Sequence, residues 1–123
     1  MIKILVIDDS TLMRKIAREH LEGAGFEVDD LSPTTSSALI NRLSVAPPDL
    51  VITDFNMPTL NGEGVVRAVR FSNPKTPIIV MTANRDEARD AKLRTMGVRK
   101  IIHKPLDEKA LIHAVKQIQT QMG

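Results

Sequence analysis

Short apolar runs alternate along the chain with segments whose apolar residues step at three and four positions. The runs are Ile2 to Ile7, Phe26 to Leu31, Leu50 to Thr53, Ile78 to Thr82 and Val98 to His103. Leu50 to Thr53 is apolar or β-branched throughout, which predicts a strand buried on both faces. Phe26 and Val28 alternate with Glu27 and Asp29, the pattern of a strand half-exposed near a sheet edge.

Five helices are expected between and after these runs. In the first, Leu12, Met13, Ile16, Ala17, Leu21 and Ala24 form the apolar stripe, Ser10 is the cap, and Gly23 and Gly25 end it. The second is weakly specified, with Ser32-Pro33 as cap and first position and Leu39, Ile40 and Leu43 inward. The third, from Glu63 to about Phe71, buries Val65, Val66 and Val69. A fourth, roughly Arg85 to Met96, is expected to start at an Asn84 cap and stop at Gly97, with Ala88, Ala91, Leu93 and Met96 inward. The fifth repeats Leu111, Val115, Ile118 and Met122. Parallel strands joined by right-handed crossovers, with helices on both faces, give a (βα)5 doubly wound α/β sheet of order 2-1-3-4-5. Its switch point lies between the first and third strands, so Asp8, Asp9 and Asp54 are expected at one crevice.

Composition narrows this little. The chain has 123 residues, enough for one domain, expected over 1–123 with no output domain, and no cysteine, so thiolate and disulfide chemistry are excluded. Met1 to Ile7 lacks the length and cleavage site of a signal peptide, and no segment approaches a membrane span, so a soluble cytoplasmic protein is expected, without membrane contact. Seventeen basic residues against fifteen acidic ones give +2, and three Phe without Trp or Tyr argue against a base-stacking surface; no nucleic-acid partner is expected.

The chemistry concentrates at the strand ends. Asp8 and Asp9, taken alone, read as acids near the positive end of the first helix, and Asp54 alone as a turn aspartate. Together they are too negative: two carboxylates ~4 Å apart repel by about 4 kcal/mol at an effective dielectric near 20. Hard oxygen donors in this number suit Mg²⁺. Thr82 and Lys104, ending the fourth and fifth strands, add a hydroxyl and an ammonium, the parts that hold a phosphoryl group.

VIDDS at Val6 to Ser10, DFNMPTLNG at Asp54 to Gly62, MTA at Met81 to Ala83 and KP at Lys104-Pro105 occur in order. With them the chain resembles, over nearly its whole length, the receiver domain of two-component response regulators, most closely the stand-alone chemotaxis (CheY) type. CheY is itself a type example of the flavodoxin-like strand order, so that order is no independent support. The resemblance implies a signalling phosphoprotein, not an enzyme beyond its own Mg²⁺-dependent phosphorylation and dephosphorylation. Asp54 would accept phosphoryl from the phosphohistidine of a histidine sensor kinase. Asp8, Asp9, Asp54 and the Asn56 backbone carbonyl would serve Mg²⁺, Asp8 mainly through metal-bound water. Thr82, Ala83 and Lys104 would contact the phosphoryl group, and the Lys-Pro bond is usually cis in the family.

The chain departs from the family at Ile101, where an aromatic switch residue is usual, so a signal would travel through residues 83–86 and the fourth helix. Asn61 replaces a common Asp and is expected to alter a loop cap only. The family's output face, on the fourth helix, fifth strand and fifth helix, would carry Arg85, Arg89, Lys92, Arg99, Lys100, Lys109 and Lys116. These are either a solvated charged surface or a dock for an acidic partner. The oligomeric expectation is a monomer or a weak phosphorylation-dependent dimer. Two other classes stay open: a phosphorylation-independent pseudoreceiver, supported by Ile101, and a metal-dependent phosphatase, disfavoured because Asp8 and Asp9 are adjacent and no cap domain fits.

Overall fold

The computed structural model describes residues 2–104 and 107–122. Five parallel strands, β1 (Lys3–Ile7), β2 (Glu27–Leu31), β3 (Leu50–Asp54), β4 (Ile78–Thr82) and β5 (Lys100–His103), form one sheet in the order β2-β1-β3-β4-β5. The helices are α1 (Thr11–Gly23), α2 (Ser36–Val45), α3 (Gly62–Ser72), α4 (Glu87–Thr95) and α5 (Glu108–Met122). This is the flavodoxin-like α/β fold expected from the alternation of runs. Pro105 lies outside the described residues, and with it the expectation of a cis Lys-Pro bond.

Strand side chains alternate between faces, and each face has its own core. Ile4, Val6, Leu50, Ile52, Ile79 and Met81 pack with Ala17 and Leu21 of α1 and with Leu111, Val115 and Ile118 of α5. Leu5, Ile7, Val51, Ile78 and Val80 pack with Leu39 and Leu43 of α2, Val65, Val66 and Val69 of α3, and Leu93 of α4. Burial on both sides is why β1, β3 and β4 read as unbroken apolar runs. β2, at the edge, holds its acids outward in ion pairs, Asp29 with Arg42 at 2.6 Å and Asp30 with Arg14 and Arg18 at 3.3 and 3.1 Å.

Helix ends explain most departures from expectation. Ser10 caps α1 as expected, accepting from the Met13 N–H, and Gly25 follows its end at φ +95°. α2 starts at Thr35, whose hydroxyl accepts from the Ala38 N–H, and not at Ser32-Pro33. α4 is capped by Asp86, whose carboxylate accepts from the Arg89 N–H at 3.0 Å, and not by Asn84, whose backbone turns back on the Thr82 hydroxyl. With α4 starting later, Ala88 and Ala91 face solvent, while Asp90 and Leu93 turn inward. Leu12 and Met122, placed in apolar stripes by spacing, are 65% and 44% exposed, one in the first turn of α1 and the other at the last residue of α5.

One arginine ties three segments together. Arg70, near the end of α3, donates to the carbonyls of Met96 at 2.7 Å, Thr76 at 2.8 Å, Gly97 at 3.0 Å and Asn73 at 3.3 Å. Burial, and to a lesser degree Arg99, depress its pKa from the usual guanidinium range. The four carbonyls neutralise its donors where water is scarce.

Candidate phosphoryl-acceptor site

The carboxyl ends of β1, β3, β4 and β5 deliver the residues singled out from sequence to one crevice. Asp8 and Asp54 are buried, Asp9 is exposed, and carboxylate oxygens from all three lie within 4.8 Å of one another. The parallel register makes this unavoidable: Ile7 pairs with Thr53, so the next residues of β1 and β3 emerge side by side. Ser10 turns the chain into α1 by donating its N–H to Asp8 Oδ1 at 2.9 Å. Arg14 secures the same turn by donating to the Asp8 carbonyl at 2.6 Å.

Lys104 brings its Nζ 3.1 Å from Asp54 Oδ1. The contact is one of charge, without the alignment of a hydrogen bond, and leaves Asp54 Oδ1 a buried acceptor with no donor. Asp8 Oδ2 is a second such acceptor. Burial raises the Asp8 pKa above its usual value; the Ser10 N–H opposes this, Asp54 adds to it, Lys104 opposes it and Asp9 adds to it. Two orphaned buried carboxylate oxygens beside a third carboxylate are what a hard divalent cation satisfies, so the residues present fit Mg²⁺. Among the described residues this is the one such cluster of acidic, His or Cys ligands.

Across the crevice Thr82 is fully buried. Its hydroxyl donates to the Asn84 carbonyl at 3.2 Å and accepts from the Asn84 N–H at 3.3 Å, so it is held by the loop after β4 and not by Asp54. Ala83 and Asn56 are exposed in the loops that rim the site. The Lys104 N–H donates to the Thr82 carbonyl at 2.8 Å, extending the β4–β5 ladder to the lysine.

The loop after Asp54 is shaped by Gly62. Its N–H donates to the Phe55 carbonyl at 2.9 Å, and a Cβ there would lie 2.8 Å from Phe55 Cα. Asn61 caps α3 by accepting from the Gly64 N–H at 2.9 Å. Ile101 is half-buried and paired with Val80, packing on the α2–α3–α4 side.

Sequence reasoning missed Asp90, and placed Arg89 only among the basic surface residues. Asp90 is buried, with its Oδ1 accepting from Arg89 Nε and Nη2 at 3.2 and 3.1 Å and its Oδ2 3.7 Å from His103 Nε2. Arg89 is therefore no open surface charge, and Lys92 also pairs, with Glu63 at 3.0 Å. That contact is the main cause of a lowered Glu63 pKa. Of the expected basic surface, Arg85, Lys92, Arg99, Lys100, Lys109 and Lys116 are exposed, Arg99 bonding Gln121 at 3.1 Å. The signal available in sequence was the Arg-Asp pair at 89–90, three residues before the inward Leu93.

A five-stranded doubly wound sheet with three acids, a threonine and a lysine at its carboxyl edge defines the receivers of two-component signalling. Residues 4–116 match the model of the response regulator receiver domain, and the chain belongs to that family. It is CheY-like: it is 35% identical over 112 residues to the chemotaxis protein CheY1 of Helicobacter pylori, covering 89% of this chain and 90% of that one. It is also 32% identical over 120 residues to protein CcdB of Bacillus subtilis, covering 96% and 98%. The solved structure of the chemotaxis protein CheY4 of Vibrio cholerae superposes with a TM-score of 0.85 at 27% identity, over 96% of this chain and 98% of that one. Receivers of this family take phosphoryl groups from histidine kinases and typically bind Mg²⁺ at an acidic pocket. Among the described residues no helix is long and apolar enough to cross a membrane.

Proposed function

We propose that Asp54 is the phosphoacceptor of this receiver. The observation that carries the reading is Lys104 Nζ at 3.1 Å from Asp54 Oδ1, in a crevice shared with the carboxylates of Asp8 and Asp9. Asp54 is the acid at the strand end with the lysine against it, and as an ionised carboxylate it needs no general base. One of its oxygens attacks the phosphorus of a kinase phosphohistidine; the P–N bond breaks and the imidazole leaves with the electron pair.

Asp8, Asp9, Asp54 and the Asn56 carbonyl would hold Mg²⁺, which, when bound, offsets the negative charge between acceptor and incoming phosphoryl group. Lys104, with its Nζ 3.1 Å from Asp54 Oδ1, neutralises a second share of that charge. Thr82 exchanges its bond to the Asn84 carbonyl for one to a phosphoryl oxygen, and the exposed Ala83 segment follows it. We also take cytoplasmic action, and contact of a downstream protein with the α4–β5–α5 face, as parts of this reading, supported by the CheY-like relatives. Arg85, Lys92, Arg99, Lys100, Lys109 and Lys116 make its exposed basic contribution, Lys92 while paired with Glu63, and Arg89 is turned from it by Asp90.

Incubation with Mg²⁺ and acetyl phosphate, followed by intact mass, tests the proposal. One Mg²⁺-dependent phosphoryl adduct on the wild type, absent from Asp54→Asn, is expected. No adduct on the wild type would leave an interaction module of receiver fold that works without phosphate.

A further inference from the structure

Arg89 joins the loop after β4, the residue following Asp54 and a buried acid of α4. Its Nη2 donates at 2.7 Å to the Asn84 carbonyl, the same oxygen that accepts the Thr82 hydroxyl. Its guanidinium carbon lies 4.7 Å from the centroid of the Phe55 ring, and Phe55 directly follows Asp54. Through Nε and Nη2 it holds the buried Asp90 of α4, whose other oxygen faces His103 of β5. His103 is in register with Thr82, which closes the circuit.

We propose that Arg89 is the positioning residue that carries the state of Asp54 to α4 and β5, in the place left by the ring that Ile101 lacks. The inference rests on Asp54 being the acceptor. Thr82 has one hydroxyl proton, and donating it to a phosphoryl oxygen takes it from the Asn84 carbonyl. Arg89 is then the side-chain donor left to that carbonyl, and its fork spans carbonyl and carboxylate, so a shift of the loop either moves Asp90 or breaks a charged bond of Arg89, the exposed one to the Asn84 carbonyl or the part-buried pair to Asp90. Breaking that pair leaves a 7%-exposed carboxylate facing only the unpartnered His103 Nε2. The aliphatic Ile101 takes no part.

The test uses the full chain with beryllofluoride and Mg²⁺ as the phosphoryl mimic. Bound fluoride is read by ¹⁹F NMR, and the response by amide exchange over residues 83–95 and by the His103 ring resonances. In the wild type, exchange in the first turn of α4 changes by about tenfold on binding, and the His103 resonances move. In Arg89→Lys, which keeps the charge and loses the fork, and in Asp90→Asn, fluoride still binds at Asp54 while both responses are lost. Proton spectra of the unliganded variants establish that each is folded. Undiminished α4 and His103 responses in both variants overturn the relay. Absence of bound fluoride in the wild type overturns the acceptor site itself, and the relay with it.

Discussion

The Lys104 ammonium lies 3.1 Å from Asp54 Oδ1 without a hydrogen bond aligned between them. The lysine thus offsets the charge of the acceptor while leaving that oxygen free of a competing donor. Replacing Lys104 by Met removes the cation from a carboxylate only 5% exposed. The variant should lose about 1–3 kcal/mol of stability at pH 7, less than a fully buried pair would because Lys104 is partly solvated. Added Mg²⁺ should restore part of it, which thermal melts with and without the ion will show.

Asp8 makes the opposite prediction. Its raised pKa means that the native state binds the proton more tightly than the unfolded chain does. Its contribution to stability is therefore fully present below the unfolded value and falls as pH rises through the folded one. Without metal, Asp8→Asn should stabilise the protein at neutral pH by on the order of 1 kcal/mol and flatten this part of the pH profile. In the wild type a tenfold excess of Mg²⁺ over its Kd should add about 1.4 kcal/mol, and the variant should gain much less. Urea titrations at pH 4 and 7 test both statements.

Gly62 is fixed by contact. A methyl there would lie 2.7 Å from Phe55 Cδ2 and 2.8 Å from Phe55 Cα, and the backbone atom cannot yield without moving Asp54's neighbour. Gly62→Ala should destabilise by about 1–3 kcal/mol and slow acetyl-phosphate labelling of the folded fraction. Gly64→Ala, by contrast, meets the end of the Leu60 side chain and should leave labelling unchanged.

Arg70 should be among the most sensitive positions outside the site. Arg70→Ala leaves the carbonyls of Thr76 and Met96 without this donor and unclasps the end of α3 from the end of α4. A loss of about 2–4 kcal/mol is expected, measured by chemical denaturation. Lysine should recover only a fraction, since one ammonium cannot span the same set of carbonyls.

The sheet was legible because its central strands are buried on both faces, and a run such as Ile78 to Thr82 has little else to be. The acceptor crevice was legible for a related reason: strand ends carry Asp8, Asp54, Thr82 and Lys104, and parallel pairing fixes where they meet. Helix starts were harder. Ser32, Thr34, Thr35 and Asn84, Asp86 are all competent caps by residue type, and spacing alone does not choose Thr35 and Asp86 among them. Asp90 was hidden for the same reason: a spacing argument places alanines inward, whereas a carboxylate there depends on Arg89, whose own position depends on Phe55 and the Asn84 carbonyl.

The central claim is that Asp54 accepts phosphoryl in a crevice completed by Mg²⁺. The most direct measurement is the intact mass of the wild type, Asp54→Asn and Lys104→Met after incubation with acetyl phosphate, with Mg²⁺ or with chelator. A single adduct on the wild type that requires Mg²⁺, none on Asp54→Asn, and slower labelling of Lys104→Met are expected. An adduct that persists on Asp54→Asn, or one indifferent to chelator, would contradict the claim.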